Sequence, residues 1–400
     1  MSRKIMILGA SILQLPAIEK AKEMGLEVIA VDMNPDAEGF KVPGVIKEVI
    51  STIDTPAIIE AARRHRIDGI MTLATDMPMR SVASVAKEMG LTGIDEGTAL
   101  RATNKAEMRK ALKVYNVPVP RFFTASDESE YNEVVKQFSV PFIVKPVDSS
   151  GSRGIFEVAD ITDQNMVRKA YDYCKPYSKT GDVIVEEYMS GPEVSVETLS
   201  IDGTCHVLQI TDKLTTGAPH YVEMGHSQPT RHSKEIAKKI SETAIAANKA
   251  IGIKNGPSHT EIIITGEGPK IVEIGARLGG DCITTHLVPL STGINLVECC
   301  IRIALGEAAD IEPKWNKGAA IRYFNQHSGI VRNIEGIREA ENISGVQQVS
   351  VVHGIGEKVT EVISSGARMG FVIAQDKDAD TAIEDCRKAL QKINVEIQEE

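Results

Sequence analysis

The chain has 400 residues, of which 42% are hydrophobic and 25% charged, with a net charge of −10. That length supports roughly two to four domains. The acidic balance and dispersed basic residues exclude a nucleic-acid partner bound through a basic patch. No apolar run approaches the ~18 residues of a membrane span. The six cysteines contain no CxxC pair, a reduced and cytoplasmic pattern without a zinc site. Met1-Ser-Arg-Lys4 leads into a short apolar stretch that lacks the form of a signal peptide.

The first hundred residues alternate strand and helix. Lys4–Leu8 and Glu27–Val31 read as strands, with a helix over Pro16–Met24 between them. Helix Ala57–Arg66, strand Gly69–Leu73 and helix Met79–Met89 continue the rhythm, which predicts a parallel sheet with covering helices. Gly9 follows the first strand and Asp32 ends the second, as in a dinucleotide site. Ser11 and Gln14 stand where the second and third glycines of that fingerprint belong, so an NAD-dependent oxidoreductase is the weaker reading.

Past residue 100 the pattern becomes α+β. Asn104–Val114 is a charged helix, followed by the rigid linker Val117-Pro-Val-Pro120. A strand ends at Lys145-Pro146, a Gly-rich loop spans Asp148–Gly154, and Val183–Glu187 is another strand. Glu193–Leu199 pairs with Thr204–Thr211, and Ser233–Ile251 is an amphipathic helix. Thr215–Pro229 reads as a loop suited to lining a substrate pocket. Strands over Val346–Val352, Lys358–Ser364 and Met369–Ala374, a helix over Ala379–Lys392 and a last strand close the chain.

The most informative stretch is Glu261-Ile-Ile-Ile-Thr-Gly-Glu-Gly-Pro-Lys-Ile-Val-Glu273-Ile-Gly-Ala-Arg277. It reads as a hairpin, and a three-residue loop Gly266–Gly268 sets Glu261 opposite Glu273. Like charges directly opposite on antiparallel strands are destabilising. Either a hard divalent cation such as Mg²⁺ sits between them, or two glutamates lie on a wet face. Lys145 and the small residues of Asp148–Gly154 suit a phosphate, glycine allowing close backbone approach. Arg277 suits an oxyanion through its planar fork. Glu186 and Glu193 are alone ordinary strand ends, though each could serve a base or a ribose. His220 and His226 are either structural or in contact with substrate.

Taken in order, these pieces resemble the ATP-grasp superfamily: Asn104-Lys105, Phe142-Ile-Val-Lys145-Pro146, Ser149–Gly154, Val185-Glu-Glu-Tyr-Met189, Gly191-Pro-Glu193 and Glu261…Glu273-Ile-Gly-Ala-Arg277. Within it the chain most resembles the L-amino-acid ligases, through Thr216-Gly-Ala-Pro219, Glu223-Met-Gly-His226-Ser-Gln-Pro229, Arg277-Leu-Gly-Gly-Asp281 and the strand-rich tail. The resemblance implies an α/β and α+β multidomain ATP-grasp fold. Its parts would be an N-terminal parallel α/β domain over residues 1–100, a lid subdomain over 115–187, a central antiparallel subdomain over 188–310 and a strand-rich subdomain over 311–400. It implies ATP and one or two Mg²⁺ ions as cofactors, small carboxylate and amine substrates, and a homodimer. Lys105 and Lys145 would hold phosphates, and Ser149, Ser150, Gly151, Ser152 and Gly154 would close over them. Glu186 and the backbone near Tyr188 and Met189 would take adenine, Glu193 the ribose, and Glu187 would join the ATP site. Glu261 and Glu273 would hold Mg²⁺, and Arg277 would be catalytic. His220, Glu223, His226, Arg277, Gly279 and Gly280 would face the substrates. Many ATP-grasp enzymes carry asparagine two residues after the second metal glutamate, where this chain has Gly275. The resemblance also admits siblings that carboxylate through carboxyphosphate or ligate purine precursors.

Overall fold

A computed structural model describes residues 2–149, 151, 153–217 and 220–399. The chain divides into two compact units. One comprises Met1–Val207, Lys238–Gly280 and Val297–Asp310; the other comprises Leu208–Ala237, Asp281–Leu296 and Ile311–Glu400. Segments 1–100 and 115–187 fall inside the first, while segment 188–310 is shared between them.

The first unit begins with a parallel sheet in the order Ile46–Glu48, Glu27–Val31, Lys4–Leu8, Gly69–Met71. Ile5–Leu8 and Val28–Val31 are fully buried, as a sheet covered on both faces requires. Helices Leu15–Glu23 and Thr55–His65 connect the strands, and helix Met79–Met89 follows the last of them. Asp54 caps the second helix by accepting from the Ala57 amide. Gln14 packs onto Gly9, where an added Cβ would meet its side chain at 2.7 Å, and donates from Nε2 to the Leu73 carbonyl at 2.8 Å. A side chain thus covers the backbone that a dinucleotide fingerprint leaves bare.

A second, antiparallel sheet follows in the order Phe122–Ala125, Val183–Glu187, Phe142–Pro146, Phe156–Val158. Helices Glu128–Val135 and Gln164–Cys174 accompany it, and Tyr131, Phe142, Val144, Val167, Tyr171 and Val185 share one core. The Gly-rich segment connects the hairpin of Phe142–Pro146 and Phe156–Val158. Asp148 pins its base, accepting from Ser178 Oγ and the amides of Lys179 and Thr180.

The third sheet segment of this unit joins Glu193–Ile201, Gly256–Thr265 and Gly268–Gly275, all antiparallel. Glu261 does lie opposite Glu273, but not by the expected three-residue loop. The turn is two residues, Gly266-Glu267, closed by the pair Thr265↔Gly268. That register alone would set Glu261 opposite Val272 and turn Glu273 to the other face. A β-bulge between the pairs Ile262↔Ile271 and Glu261↔Glu273 inserts Val272 and restores the pairing of the two carboxylates.

The second unit carries strands in the order Glu223–Gln228, Gly318–Tyr323, Gly370–Asp376, Val346–Val351, with Leu214 and its neighbours pairing onto Glu223–Gln228. Helix Ala379–Leu390 buries Ala382, Ile383, Cys386 and Ala389 against Ala320, Val372 and Ala374. A small sheet of Lys358–Val359, Gly329–Glu335 and Asn394–Gln398 completes it. Two expectations are corrected here. Residues 215–229 are not one loop: strands Thr204–Thr215 and Glu223–Gln228 form a hairpin that leaves only 216–222 between them. The strand expected over Lys358–Ser364 ends at Val359: beyond it the chain runs along the surface, where Thr360, Glu361, Ile363 and Ser364 are exposed and no strand pairs with them. Among the described residues all six cysteines are unpaired thiols, and no single helix is long and apolar enough to cross a membrane.

Candidate active site

Helix Lys105–Val114 organises the carboxylates of the first unit. Asn104 caps it by accepting from the Glu107 amide, which fixes Lys105 at the first turn. Lys105 Nζ donates to the Ser149 carbonyl at 2.7 Å and to Glu273 Oε1 at 3.2 Å. One turn on, Arg109 lies on the same face. Its Nε donates to Glu186 Oε1 at 2.5 Å, and its Nη2 donates at 2.7 Å to the carbonyl of Val272, the bulged residue. The helix therefore braces the irregularity that pairs Glu261 with Glu273.

Lys145 closes a second contact, donating to Glu186 Oε2 at 2.9 Å. Glu186 is 1% exposed, with each oxygen held by a cation. Burial alone would raise its carboxyl, but Arg109 and Lys145 outweigh burial and hold it down to about 2. Glu186, expected beside a base edge, is a fully buried carboxylate between two cations and anchors Lys145. Glu187 Oε2 accepts from the Arg121 amide, and the Tyr188 amide donates to the Pro141 carbonyl. Met189 follows half-buried, and Glu193 opens the next strand opposite Ile263. Gly191 is required where it stands, since an added Cβ would lie 2.1 Å from the Ile264 carbonyl oxygen.

Glu261 and Glu273 keep 26% and 24% of their side chains exposed. Beside Glu261 lies His259, whose Nε2 is 3.6 Å from Glu261 Oε1 and whose Nδ1 is 2.5 Å from Glu197 Oε1. Glu197 is fully buried, and its Oε2 has no hydrogen-bond partner. Burial would lower His259, but Glu197, aided by Glu261, outweighs it and pushes the imidazole up to about 9. Among the described residues no three His, Cys, Asp or Glu side chains form a closed metal cage. Two accessible, opposed carboxylates instead fit a hard cation such as Mg²⁺, which keeps several water or phosphate ligands.

Arg277 lies past the second strand, and Asp76 grips it. Nε donates to Asp76 Oδ1 at 2.9 Å, Nη2 to Oδ2 at 3.1 Å and Nη1 to the Leu278 carbonyl at 3.1 Å. Burial works against its charge, yet Asp76, with Glu273 and Glu261, outweighs burial and stabilises the guanidinium. Gly279 admits the His259–Glu197 pair, since a Cβ there would lie 2.6 Å from His259 Nδ1. Gly280 has open space around it.

The remaining expected residues belong to the second unit. His226 is 1% exposed on its strand, and its Nε2 lies 3.4 Å from Asp281 Oδ2. Arg368 grips Asp281 through Nη1 and Nη2, both at 2.7 Å, and stacks 3.8 Å from the centre of the Tyr323 ring. Burial would raise the Asp281 carboxyl, but Arg368 and His226 hold it far below the usual range. Glu223 pairs with Lys213 at 3.8 Å, while His220 is exposed in the turn between strands. Ser150 and Ser152 lie outside the described residues, whereas Ser149, Gly151 and Gly154 lie in the hairpin connection.

A profile described as the ATP-grasp domain matches residues 138–285, which contain Lys145, Glu186, Glu193, Glu261, Glu273 and Arg277. Residues 138–285 carry an ATP-grasp domain, and the chain has the fold of the ATP-grasp ligases. A second profile, the L-amino acid ligase C-terminal domain 2, matches residues 322–398. The crystal structure of an L-amino acid ligase from Bacillus licheniformis superposes with a TM-score of 0.84 at 25% identity, covering 99% of each chain. An L-arginine-specific L-amino acid ligase of Bacillus subtilis is 24% identical over 296 residues, 72% of this chain and 71% of its own. A phosphoribosylamine–glycine ligase of Caldanaerobacter subterraneus subsp. tengcongensis is 24% identical over 369 residues, 87% and 86% of the two chains. These ATP-grasp relatives are ligases that form carbon–nitrogen bonds, and ATP-grasp enzymes generally use ATP and Mg²⁺.

Four participants went unread in the sequence: Asp76, Arg109, Glu197 and His259. Arg109 could have been found as the residue one turn after Lys105, on the same helix face. Glu197 and His259 share the alternation that places Glu261, since His259 is two residues before it and Glu197 is its cross-strand partner. Asp76 carries no local signal, because its partner lies 201 residues away.

Proposed function

We propose that the protein is an ATP-dependent carboxylate–amine ligase that joins an amino acid's carboxylate to an amine through an acyl-phosphate, releasing ADP and phosphate. The observation that carries this reading is the grouping of Lys105 and two opposed glutamates in the unit that also orients Arg277. The L-amino acid ligase match over residues 322–398 supports amino-acid substrates.

A carboxylate resists nucleophiles because of its own charge. Phosphorylation by ATP converts one oxygen into a leaving group, after which an amine attacks the carbonyl carbon and phosphate departs. Glu261 and Glu273 would hold Mg²⁺, which would supply neutralisation of phosphate charge. Lys105 and Lys145 add fixed positive charge, Lys145 being held by Glu186 and Lys105 by Ser149 and Glu273. Arg277 steadies the phosphoryl oxygens in flight, so catalysis is positioning and charge neutralisation on preorganised groups. The hairpin connection Ser149–Gly154 closes over the phosphates and excludes water, which would hydrolyse the acyl-phosphate. The strand end at Glu187–Met189 receives the base, and Glu193 the ribose. The substrate contacts proposed are Gly279 and Gly280 of the first unit, and His220, Glu223 and His226 of the second. The lid is the 115–187 segment, and the protein works as a homodimer.

The test is ADP release across a panel of amino-acid pairs. Release that depends on two amino acids, with one amide formed per ADP, is the expected result. No pair raising ADP release above the substrate-free rate sinks the reading. Release that depends on bicarbonate or phosphoribosylamine instead assigns the sibling chemistry, a possibility kept open by the long match to the phosphoribosylamine–glycine ligase.

A further inference from the structure

Gly275 stands where the resemblance leads one to expect a side chain, and the space is filled from elsewhere in the sequence. A Cβ added at Gly275 would lie 2.8 Å from Asp76 Oδ1 and 3.3 Å from Arg277 Nε. Gly275 has no left-handed φ, so the backbone does not demand glycine there. The close approach of the Asp76 carboxylate does.

Asp76 follows strand Gly69–Met71 at the C-terminal edge of the parallel sheet, the edge at which open α/β sheets place ligands. It is 8% exposed. Its carbonyl accepts from the Met79 amide at 3.0 Å, which ties it to the start of helix Met79–Met89. Two residues earlier Ala74 holds φ at 57°, an uncommon conformation for a residue with a side chain. The carboxylate therefore rests on a constrained segment.

We propose that Asp76 is a positioning residue for Arg277, and that glycine is present at 275 to admit its carboxylate. An unanchored arginine has many rotamers, and a bidentate carboxylate fixes both its reach and its plane. Asp76 and the Leu278 carbonyl engage three of the five N–H donors of the guanidinium, which leaves two for an oxyanion. The N-terminal sheet thereby becomes part of the reaction centre, through a residue that touches no substrate. This inference rests on the role given to Arg277 above.

The experiment compares Asp76→Ala, Gly275→Ala, Arg277→Ala and the double variant Asp76→Ala/Arg277→Ala. ADP release with the best amino-acid pair and the Kd of MgADP are measured for each. Loss of orientation should cut turnover by roughly a hundredfold in Asp76→Ala. Gly275→Ala should match it by displacing the same carboxylate. MgADP affinity should be unchanged in both, and the double variant should be no slower than Arg277→Ala alone. A second readout needs no acyl substrate: aluminium fluoride should tighten MgADP binding in the wild type but not in Asp76→Ala or Arg277→Ala. Wild-type turnover in Asp76→Ala beside an inactive Arg277→Ala overturns the assignment and leaves the ligase reading intact. Additive losses in the double variant, or an aluminium fluoride response that Asp76→Ala retains or the wild type lacks, overturn it as well. Wild-type turnover in Arg277→Ala overturns the role of Arg277 itself.

Discussion

Replacing Glu186 with glutamine should destabilise the first unit severely without removing any contact by size. Glutamine keeps the shape but not the charge, and leaves Arg109 and Lys145 facing each other with no anion between them. Glu186 is fully buried, so water cannot screen the loss. A carboxyl held at about 2 instead of 4.5 contributes about 3 kcal/mol at neutral pH. Breaking a buried pair by removing one partner costs roughly 3–5 kcal/mol, which agrees. Because the folded-state pKa is depressed, this stability is fully present above pH 4.5 and is lost as pH falls through about 2. The gap between wild type and Glu186→Gln should therefore narrow steadily as acid is added over that window. Urea denaturation followed by circular dichroism measures it as a lower midpoint at unchanged m-value. A loss below about 1 kcal/mol at pH 7, the size of an exposed ion pair, would refute the reasoning.

Glu261→Gln and Glu273→Gln should each abolish ADP release and weaken Mn²⁺ binding in the presence of ADP, read by paramagnetic resonance; intact Mn²⁺ affinity in both would remove the metal reading. His259→Leu leaves Glu197 charged, buried and without its cation, so it should cost roughly 3–5 kcal/mol in denaturation. Most of that should return in Glu197→Gln/His259→Gln, and no recovery would mean the two do not act as a pair. Gly279→Ala drives a methyl into His259 and Glu197 and should lower stability by roughly 1–3 kcal/mol, checked by the same denaturation series.

Much of the fold was legible because its strands and helices obey simple periods. The parallel sheet follows from Lys4–Leu8 and Glu27–Val31, where unbroken apolar runs alternate with helices ended by Gly25 and Gly90. The pairing of Glu261 with Glu273 was legible from counting along the hairpin, although the count reached the right pair by the wrong turn. A bulge has no signature in Ile271-Val-Glu273, since valine suits a regular strand equally well. Strand Gly318–Tyr323 escaped because all six of its residues are buried, which removes the alternation that marks a half-buried strand. Histidine, glycine and proline punctuate 215–229 as they would a loop, and only the neighbouring strands reveal that His226 is paired. Arg109 and Glu186 look like surface charges along the chain. They become a buried pair only when residues 77 apart in sequence meet.

The acyl-phosphate is the centre of the account, and one isotope measurement addresses it. An amino-acid substrate labelled with ¹⁸O in its carboxylate is turned over with MgATP and an acceptor amine, and the released phosphate is examined by mass spectrometry. The account predicts one ¹⁸O atom in each phosphate, carried from the carboxylate when the carbon–oxygen bond breaks. Amide formation with unlabelled phosphate, or with AMP and pyrophosphate as products, would contradict it.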